Sequence, residues 1–256
     1  MRRLRILLAA IAIGGLVVPA QPAQAYSCNG SAQRAATFDP DAGSTARGVT
    51  AYLKMPAATE VTGINHKGAS KGTTAYSVGD IYLTGSNGEF VQLGWGFYPG
   101  YSRPMVFLGE SKPTGGEQLR WPLAAGGFGQ WGSDDAFMYL NWNTSYKFSI
   151  VRVDSSGPGN SGYFEFRKDG VVLATSLYRH PQNMTPAHNG ETDDLCVLMA
   201  ARAFSNPIVP TLYYVNTGQT TWNQFSNQTF STSNAAISSG FANGVNATHK
   251  AFGGGS

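Results

Sequence analysis

The chain has 256 residues, of which 42% are hydrophobic and 13% are charged, and its formal net charge at pH 7 is +3. Arg2, Arg3 and Arg5 account for this excess, because the other 15 Lys and Arg residues balance the 15 Asp and Glu residues. Without these three arginines the chain is neutral, which argues against the clustered Lys and Arg surface of a nucleic-acid-binding protein. The length is compatible with one domain that buries a core of its own.

The first 25 residues are typical of a cleavable export signal. The three arginines are followed by an apolar run from Ile6 to Val18 and then by the small-residue pattern Ala23-Gln24-Ala25. The apolar run is shorter than the roughly 20 residues that a membrane-spanning helix needs. We therefore expect a secreted mature chain that begins near Tyr26 and has no membrane anchor.

Two cysteines, Cys28 and Cys196, both lie in the part of the chain that is predicted to be exported. An oxidising compartment and an even number of cysteines favour a disulfide between them. The alternative is a pair of unpaired buried thiols. Neither cysteine has a Cys or His partner at short spacing, and the four His residues show no metal-binding spacing, so we predict neither a metal site nor a cofactor.

After the signal, β-branched and aromatic runs alternate with short clusters of Gly, Ser, Asn and Pro, which predicts strands joined by turns. Residues 26–47 are predicted to be an irregular lead-in, residues 48–252 a single domain and residues 253–256 a flexible tail. The candidate strands are Gly48–Met55, Thr74–Thr84, Glu89–Tyr98, Met105–Glu110, Ala136–Trp142, Tyr146–Asp154, Tyr163–Arg167, Val171–Ser176, Leu195–Ala201 and Thr211–Asn216.

The segment Lys168-Asp169-Gly170 lies between two of these strands, and Asp-Gly is a strong signal for a tight hairpin turn. No segment after residue 25 shows a sustained helical period. Closely spaced strands without helices predict an all-β fold, an antiparallel β-sandwich or barrel.

The strand around Gln92 has two different faces. Val91, Leu93 and Trp95 alternate toward one face, which we expect to be the core, while Gln92 and two glycines alternate toward the other. Glycines beside a polar side chain predict an open floor where a ligand or substrate backbone could approach. The alternative is an ordinary solvated face with two bulge glycines.

A second polar feature is the segment from Asn189 to Asp194, which we predict to be an acidic turn. Its three carboxylates, Glu191, Asp193 and Asp194, repel one another, which raises the pKa of at least one of them and suits it to general acid or base catalysis. The alternatives are a solvated acidic turn or a calcium-binding loop.

Two short motifs carry a resemblance to known families. The segments Asp80–Leu83 and Phe90–Pro99 together resemble the Q-x-G-W strand of neprosin-domain proteins, and Asn189–Thr192 is similar to their second acidic motif. Gln92 also makes the first motif similar to the eqolisin glutamic peptidases, which use a Gln and Glu pair. The resemblance implies a concanavalin-like jelly-roll sandwich.

The same resemblance implies an extracellular glutamic-type endopeptidase that acts on a protein or peptide at acidic pH. Glu191 would be the general base that activates a water, and Gln92 would hold this water and stabilise the oxyanion. Tyr98 and Tyr101 would bind substrate.

Two other functions stay open, and both have a polysaccharide as the partner. One is a non-catalytic carbohydrate-binding module that uses exposed aromatic rings, for which the candidates are Trp95, Trp121, Trp131, Trp142 and Trp222. The other is a glycoside hydrolase or lyase, which needs two carboxylates facing one cleft. Glu89, Glu110 and Glu165 are available for this role, but the sequence does not place them together.

Overall fold

The computed structural model describes residues 33–38, 45–55, 77–98, 100–130, 136–154, 156–192, 211–216, 220–225 and 229–232. The predicted export signal, both cysteines, Asp193, Asp194 and the predicted tail lie outside these residues. The expectations for them therefore stay predictions.

The described residues form strands joined by turns, and the helical structure among them is a 3-10 turn at Pro158–Asn160. No helix in these ranges has the length and apolar character to cross a membrane. The strands are β1 (Gln33–Phe38), β2 (Ala46–Lys54), β3 (Ser77–Thr84), β4 (Phe90–Phe97), β5 (Met105–Ser111), β6 (Glu117–Pro122), β7 (Phe128–Gly129), β8 (Ser145–Arg152), β9 (Phe164–Lys168), β10 (Val171–Thr175), β11 (Thr185–Thr192), β12 (Thr211–Asn216), β13 (Asn223–Gln224) and β14 (Thr229–Thr232).

The strands pair into two antiparallel sheets. The larger sheet has the order β14-β1-β11-β3-β4-β5-β6-β7, and the smaller has the order β10-β9-β8-β2-β12-β13. The chain crosses between the sheets after β1, β2, β7, β10, β11 and β13, which is the connectivity of a jelly-roll sandwich. This confirms the predicted all-β, antiparallel sandwich.

The core lies between the inner faces of the two sheets. On β4 the alternation is as predicted, since Val91, Leu93 and Trp95 are at most 2% exposed. Opposite them, β8 and β9 contribute Phe148, Ile150 and other fully buried side chains. Because side chains alternate along a strand, the same strands present a second set of side chains to the outside of the sandwich.

Eight of the predicted strands coincide with β2, β3, β4, β5, β8, β9, β10 and β12 to within a few residues. The predicted hairpin at Lys168-Asp169-Gly170 is also confirmed, since Lys168 pairs with Val171 across the turn. Asp169 and Gly170 have φ of 49° and 83°, the left-handed backbone that a two-residue hairpin turn requires. The predicted strand Leu195–Ala201 lies outside the described residues.

The predicted strand Ala136–Trp142 is wrong. The segment makes only isolated bridges, with Phe137 opposite Leu123 and Tyr139 opposite Met105. Its backbone bonds alternately to two different strands, because the Met138 carbonyl accepts from Val106 while the Met138 amide donates to Pro122. In a regular antiparallel ladder the N–H and C=O of one residue bond to the same neighbouring strand, so the division at Met138 interrupts the ladder on both sides.

Two segments that were predicted to be irregular are strands. Gln33–Phe38 of the predicted lead-in forms β1, and Asn189–Thr192 of the predicted acidic turn forms the end of β11. β11 pairs along its whole length with β3 and along most of it with β1, so it is an internal strand of the larger sheet. Its Pro, His, Asn and Gly residues have low strand propensity, which is why the sequence pattern concealed it.

Candidate functional site

The outer face of the larger sheet carries the polar side chains of the candidate site. Gln92 of β4 pairs with Tyr82 of β3 and with Gly109 of β5, and directly paired residues point to the same face. Asp80 of β3 pairs in the same way with Asn189 of β11. These residues therefore form one polar surface across β11, β3, β4 and β5.

Three glycines of this face give space to neighbouring side chains. A Cβ on Gly96 would lie 2.6 Å from Cζ of Tyr98, and a Cβ on Gly94 would lie 2.6 Å from Cβ of Asp80. The open floor that we expected beside Gln92 is thus largely occupied by the protein itself. Gly96 is needed because the Tyr98 ring lies across the sheet, whereas Gly94 is needed because a Cβ there would also collide with the Gly79 carbonyl oxygen of the neighbouring strand.

Gln92 lies against the sheet and reaches Glu117 on β6. Its side chain crosses Gly109, where a Cβ would be 2.7 Å from Cγ of Gln92. Nε2 of Gln92 then donates a hydrogen bond of 2.5 Å to Oε1 of Glu117. A hydrogen bond to an ionised carboxylate is stronger than a neutral one, so it fixes both side chains in position.

The structure places Gln92 and Glu191 on the same face but not in contact. The β11 residue opposite Gln92, counted through Tyr82, is Ala187, and Glu191 lies four residues beyond it. Two strand spacings of about 4.8 Å and a run of about 13 Å along the strand therefore separate the backbone positions. Gln92 turns away from β11 and toward Glu117 on β6, so the structure does not bring the pair together, and the shared water that the resemblance implies stays a prediction.

The charges of three carboxylates act on the buried phenol of Tyr98. Burial raises the pKa of Tyr98 above its ordinary value, the neighbouring Trp121 opposes this shift, and the negative charges of Glu117, Asp80 and Glu191 add to it. Charges from β6, β3 and β11 thus converge on one buried hydroxyl. The raised pKa keeps the Tyr98 hydroxyl protonated even at alkaline pH, where an exposed tyrosine would ionise.

Asp80 and Asn189 form a buried polar pair within this surface. Nδ2 of Asn189 donates to Oδ2 of Asp80 at 3.1 Å, and the two residues are 5% and 1% exposed respectively. A buried carboxylate needs such partners because the transfer of an isolated charge from water is very unfavourable. The pair fixes the position of the Asn189 side chain on this face.

A groove with a volume of about 820 Å³ opens on this face, between the β3–β4 turn and the β5–β6 turn. Its floor carries Tyr82, Gln92 and Asn189, and Glu117 forms part of its wall. A second cavity of about 380 Å³ shares residues Glu89 and 111–113 with it. The two together form an elongated depression around the end of the sheet.

Tyr98 and Tyr101 are 7% and 5% exposed and pack with Met105 and Phe137 in a small cluster of buried residues. Their rings are therefore largely closed to solvent in this structure. Their predicted contact with substrate stays a prediction.

The carboxylates considered for a glycoside hydrolase are not brought together. Glu89 lines the groove and accepts a hydrogen bond from the Asn87 amide. Glu110 is buried in the core, and Glu165 pairs with Arg167 on the smaller sheet. Among the described residues, no group of three His, Cys, Asp or Glu side chains is arranged to hold a metal ion.

The sequence analysis missed Glu117 and the pairing of Asp80 with Asn189. A signal for β6 was present, because Thr114-Gly115-Gly116 marks a turn and Leu119 and Trp121 alternate with polar residues after it. The Asp80–Asn189 pair joins strands that lie 109 residues apart in the chain, and single-sequence patterns do not give the register between such strands.

No family model matches the chain, and no curated protein matches it. Among solved structures it is similar to a beta-glucanase from Bacillus licheniformis, with 12% identity over 70% of this chain and 66% of that chain and a TM-score of 0.31. It is also similar to an alginate lyase from Klebsiella pneumoniae, with 9% identity over 63% and 52% of the two chains and a TM-score of 0.27. The chain thus spans less than two thirds of either structure, and at these values the likeness assigns neither a family nor an activity.

Proposed function

We propose that the protein binds a neutral polysaccharide chain in the groove of the larger sheet. The observation that carries the proposal is the combination of Tyr82, Gln92, Asn189 and Glu117 in one open groove. Amide and carboxylate groups donate and accept hydrogen bonds in a plane, which suits sugar hydroxyls that do both. The ring of Tyr82 adds an amphipathic surface for the apolar face of a sugar.

The shape of the depression favours a polymer over a small molecule. The groove and the second cavity share Glu89, Ser111, Lys112 and Pro113, so a chain that leaves the groove enters the second cavity. Sites for small ligands are usually more enclosed, because they bury most of the ligand.

The charge of the face favours a neutral chain. Glu89 and Glu117 line the groove, whereas Lys112 is the one cationic residue among its described lining residues. The charges of Asp80 and Glu191 also reach this face. A polyanion such as alginate would meet like charges here, which disfavours its binding. The predicted export of the chain would bring it into contact with extracellular polysaccharide.

Affinity electrophoresis in soluble neutral glucan and xylan, with alginate as the polyanion, tests the proposal. We expect retardation by at least one neutral polymer and none by alginate. Gln92→Ala removes one hydrogen-bonding group, which corresponds to about a 3- to 10-fold loss of affinity. Gln118→Ala is the matched control, since Gln118 lies on β6 beside Glu117 and donates to the Leu119 carbonyl outside the groove. Retention by alginate alone, or equal loss in both variants, would contradict the proposal.

A second candidate function is hydrolysis of the bound chain. It is favoured by the carboxylates around Tyr98, because glycosidases use two carboxylates at a defined separation. Asp80 and Glu191 occupy diagonal positions on adjacent strands, about 7 to 8 Å apart at the backbone. The release of reducing ends from the polymer that binds, and its loss in Glu191→Gln, would identify the protein as an enzyme.

The peptidase hypothesis is tested with the same proteins and casein between pH 3 and pH 7. Because Gln92 and Glu191 are not in contact, we expect no cleavage that depends on both residues. Cleavage at acidic pH that disappears in both Gln92→Ala and Glu191→Gln would overturn the polysaccharide proposal in favour of the glutamic peptidase.

A further inference from the structure

The outer face of the smaller sheet, on the opposite side of the sandwich, carries three aromatic side chains. Tyr52 of β2 is 50% exposed, Trp222 before β13 is 37% exposed, and Tyr213 of β12 is half-buried. Val49, Ala51 and Leu53 of β2 point into the core, so Tyr52 points outward. We name Tyr52, Tyr213 and Trp222 the aromatic platform.

Gly48 allows Trp222 to lie against the sheet. A Cβ on Gly48 would be 3.2 Å from Cη2 of the Trp222 ring and 3.0 Å from Cγ1 of Val215. A Cβ at position 48 would press on the indole, which would have to shift by about a few tenths of an ångström. The absence of a side chain therefore sets the ring across the sheet surface, with more than a third of the residue still open to solvent.

The register spreads the three aromatic residues over adjacent parts of β2 and β12. Tyr213 pairs with Thr50, which lies midway between Tyr52 and Gly48 on β2. Tyr52 and Gly48 are therefore both diagonal neighbours of Tyr213, about 7 to 8 Å from it. The three residues together extend about 13 Å along the strands, which matches the length of an extended polymer chain and exceeds that of a single sugar ring.

The surface beneath the platform is fixed. Thr50 is 5% exposed, and its hydroxyl donates to the Phe148 carbonyl at 2.8 Å and contacts Oγ of Ser149 at 2.6 Å. Lys147 pairs with Tyr52 across β2 and β8, and its Nζ lies over the Tyr52 ring, 5.7 Å from the centre, so a sugar that stacks on this ring displaces the ammonium. The three platform residues carry no charge, which suits a neutral ligand.

We propose that the aromatic platform is a second polysaccharide site, which binds the exposed face of chains in an insoluble neutral polysaccharide. Stacking on flat, partly exposed rings uses the apolar face of a sugar and needs no cleft. The inference rests on the proposed function, because it takes the groove and the platform to bind the same class of polymer. A protein partner fits less well, because three rings are far smaller than the interface of about 1,200 to 2,000 Å² that a stable complex buries.

The test is adsorption of the protein to microcrystalline cellulose and to insoluble xylan. Tyr52→Ala and Trp222→Ala should each lower adsorption at least fivefold, and the double variant should abolish it. Phe128→Ala is the matched control, because Phe128 is 42% exposed on β7 of the other sheet. Circular dichroism and thermal unfolding of each variant show that a loss of adsorption does not come from misfolding.

Affinity for soluble glucan separates the two proposals. The platform variants should keep the wild-type affinity for the soluble polymer that binds the groove, whereas Gln92→Ala should lose it and still adsorb to the insoluble polymer. Platform variants that adsorb like wild type, or a wild type that adsorbs to neither solid, would overturn the platform while leaving the groove proposal standing. Loss of adsorption in Gln92→Ala alone would assign both polymers to the groove and overturn the platform too.

Discussion

Glu110 shows how a carboxylate can be part of the core of a sandwich. It is fully buried and accepts hydrogen bonds from the amides of Leu177 and Tyr178, contacts Nε2 of His180 at 3.2 Å and pairs with Arg120 at 2.9 Å. Burial alone would raise its pKa, but the contact with His180, the two amides and the charge of Arg120 outweigh this effect and lower the pKa. The carboxylate thereby joins β5 to the segment that follows β10.

We expect Glu110→Gln to destabilise the fold by about 3 to 5 kcal/mol, because it removes the negative charge opposite Arg120 and puts an NH2 donor where one carboxylate oxygen accepted from buried donors. Since the folded pKa is lowered, the carboxylate contributes stability above its unfolded pKa of about 4.3 and loses it as the pH falls through the folded pKa. Urea unfolding between pH 2.5 and pH 7 should therefore show a shallower acid-side decrease for the variant.

Glu165→Gln is the control for this substitution, since Glu165 pairs with Arg167 on the outer face of the smaller sheet and its side chain is 23% exposed. A surface pair of this kind contributes at most about 1 kcal/mol. Equal stability and equal pH profiles for the two variants would show that the buried network is not important for the fold.

Gly96 is predicted to be intolerant of any side chain. In Gly96→Ala the new Cβ would lie 2.6 Å from Cζ of Tyr98, so the buried ring must shift, at a cost of about 1 to 3 kcal/mol. If Tyr98 is the cause, Gly96→Ala in a Tyr98→Ala background should cost clearly less than in wild type. Denaturant unfolding of the four proteins measures this coupling, and additive changes would contradict it.

At the scale of elements, β11 gives the sharpest test of the sheet order. Its backbone is bonded on one side to β1 and on the other to β3. We expect the amides of His188, Asn189 and Gly190 to exchange with solvent at least about a thousandfold more slowly than the unprotected chain, because their opening requires sheet disruption. Hydrogen exchange measured by mass spectrometry or NMR reports this. Exchange as fast as that of Asn160 in its exposed turn would contradict the strand and support the acidic turn that the sequence predicts.

The elements that sequence patterns predicted share a simple local cause. β4, β8 and β9 have apolar residues that alternate over most of their length, and the β9–β10 turn has Asp-Gly, so each of them is determined by its own residues. β1 and β11 become strands because long-range pairing outweighs their weak local propensity. The candidate site depends on such pairings, and the sequence could therefore identify Gln92 but not its partner Glu117.

At the scale of the molecule, the sheet order bears on the predicted disulfide. Gln33 is the first residue of β1 and pairs with Thr192, the last residue of β11. The start of β1 and the end of β11 therefore lie side by side at the same end of the paired strands. Cys28 lies five residues before Gln33, and Cys196 lies four residues after Thr192. Because an extended residue spans up to about 3.5 Å, the two short segments that lead from Gln33 and Thr192 to the cysteines are long enough for Cys28 and Cys196 to meet.

We therefore expect one disulfide between Cys28 and Cys196 in the exported protein, and no free thiol. In the chain-entropy model a loop of this length contributes about 4 kcal/mol, because the bond restricts the unfolded chain. Peptide mapping by mass spectrometry without reduction should detect the linked pair, and reduction should lower the melting temperature of wild type but not that of Cys28→Ser. Two free thiols after aerobic purification would contradict the prediction. The start of β1 would then be held to the end of β11 without a covalent bond between Cys28 and Cys196.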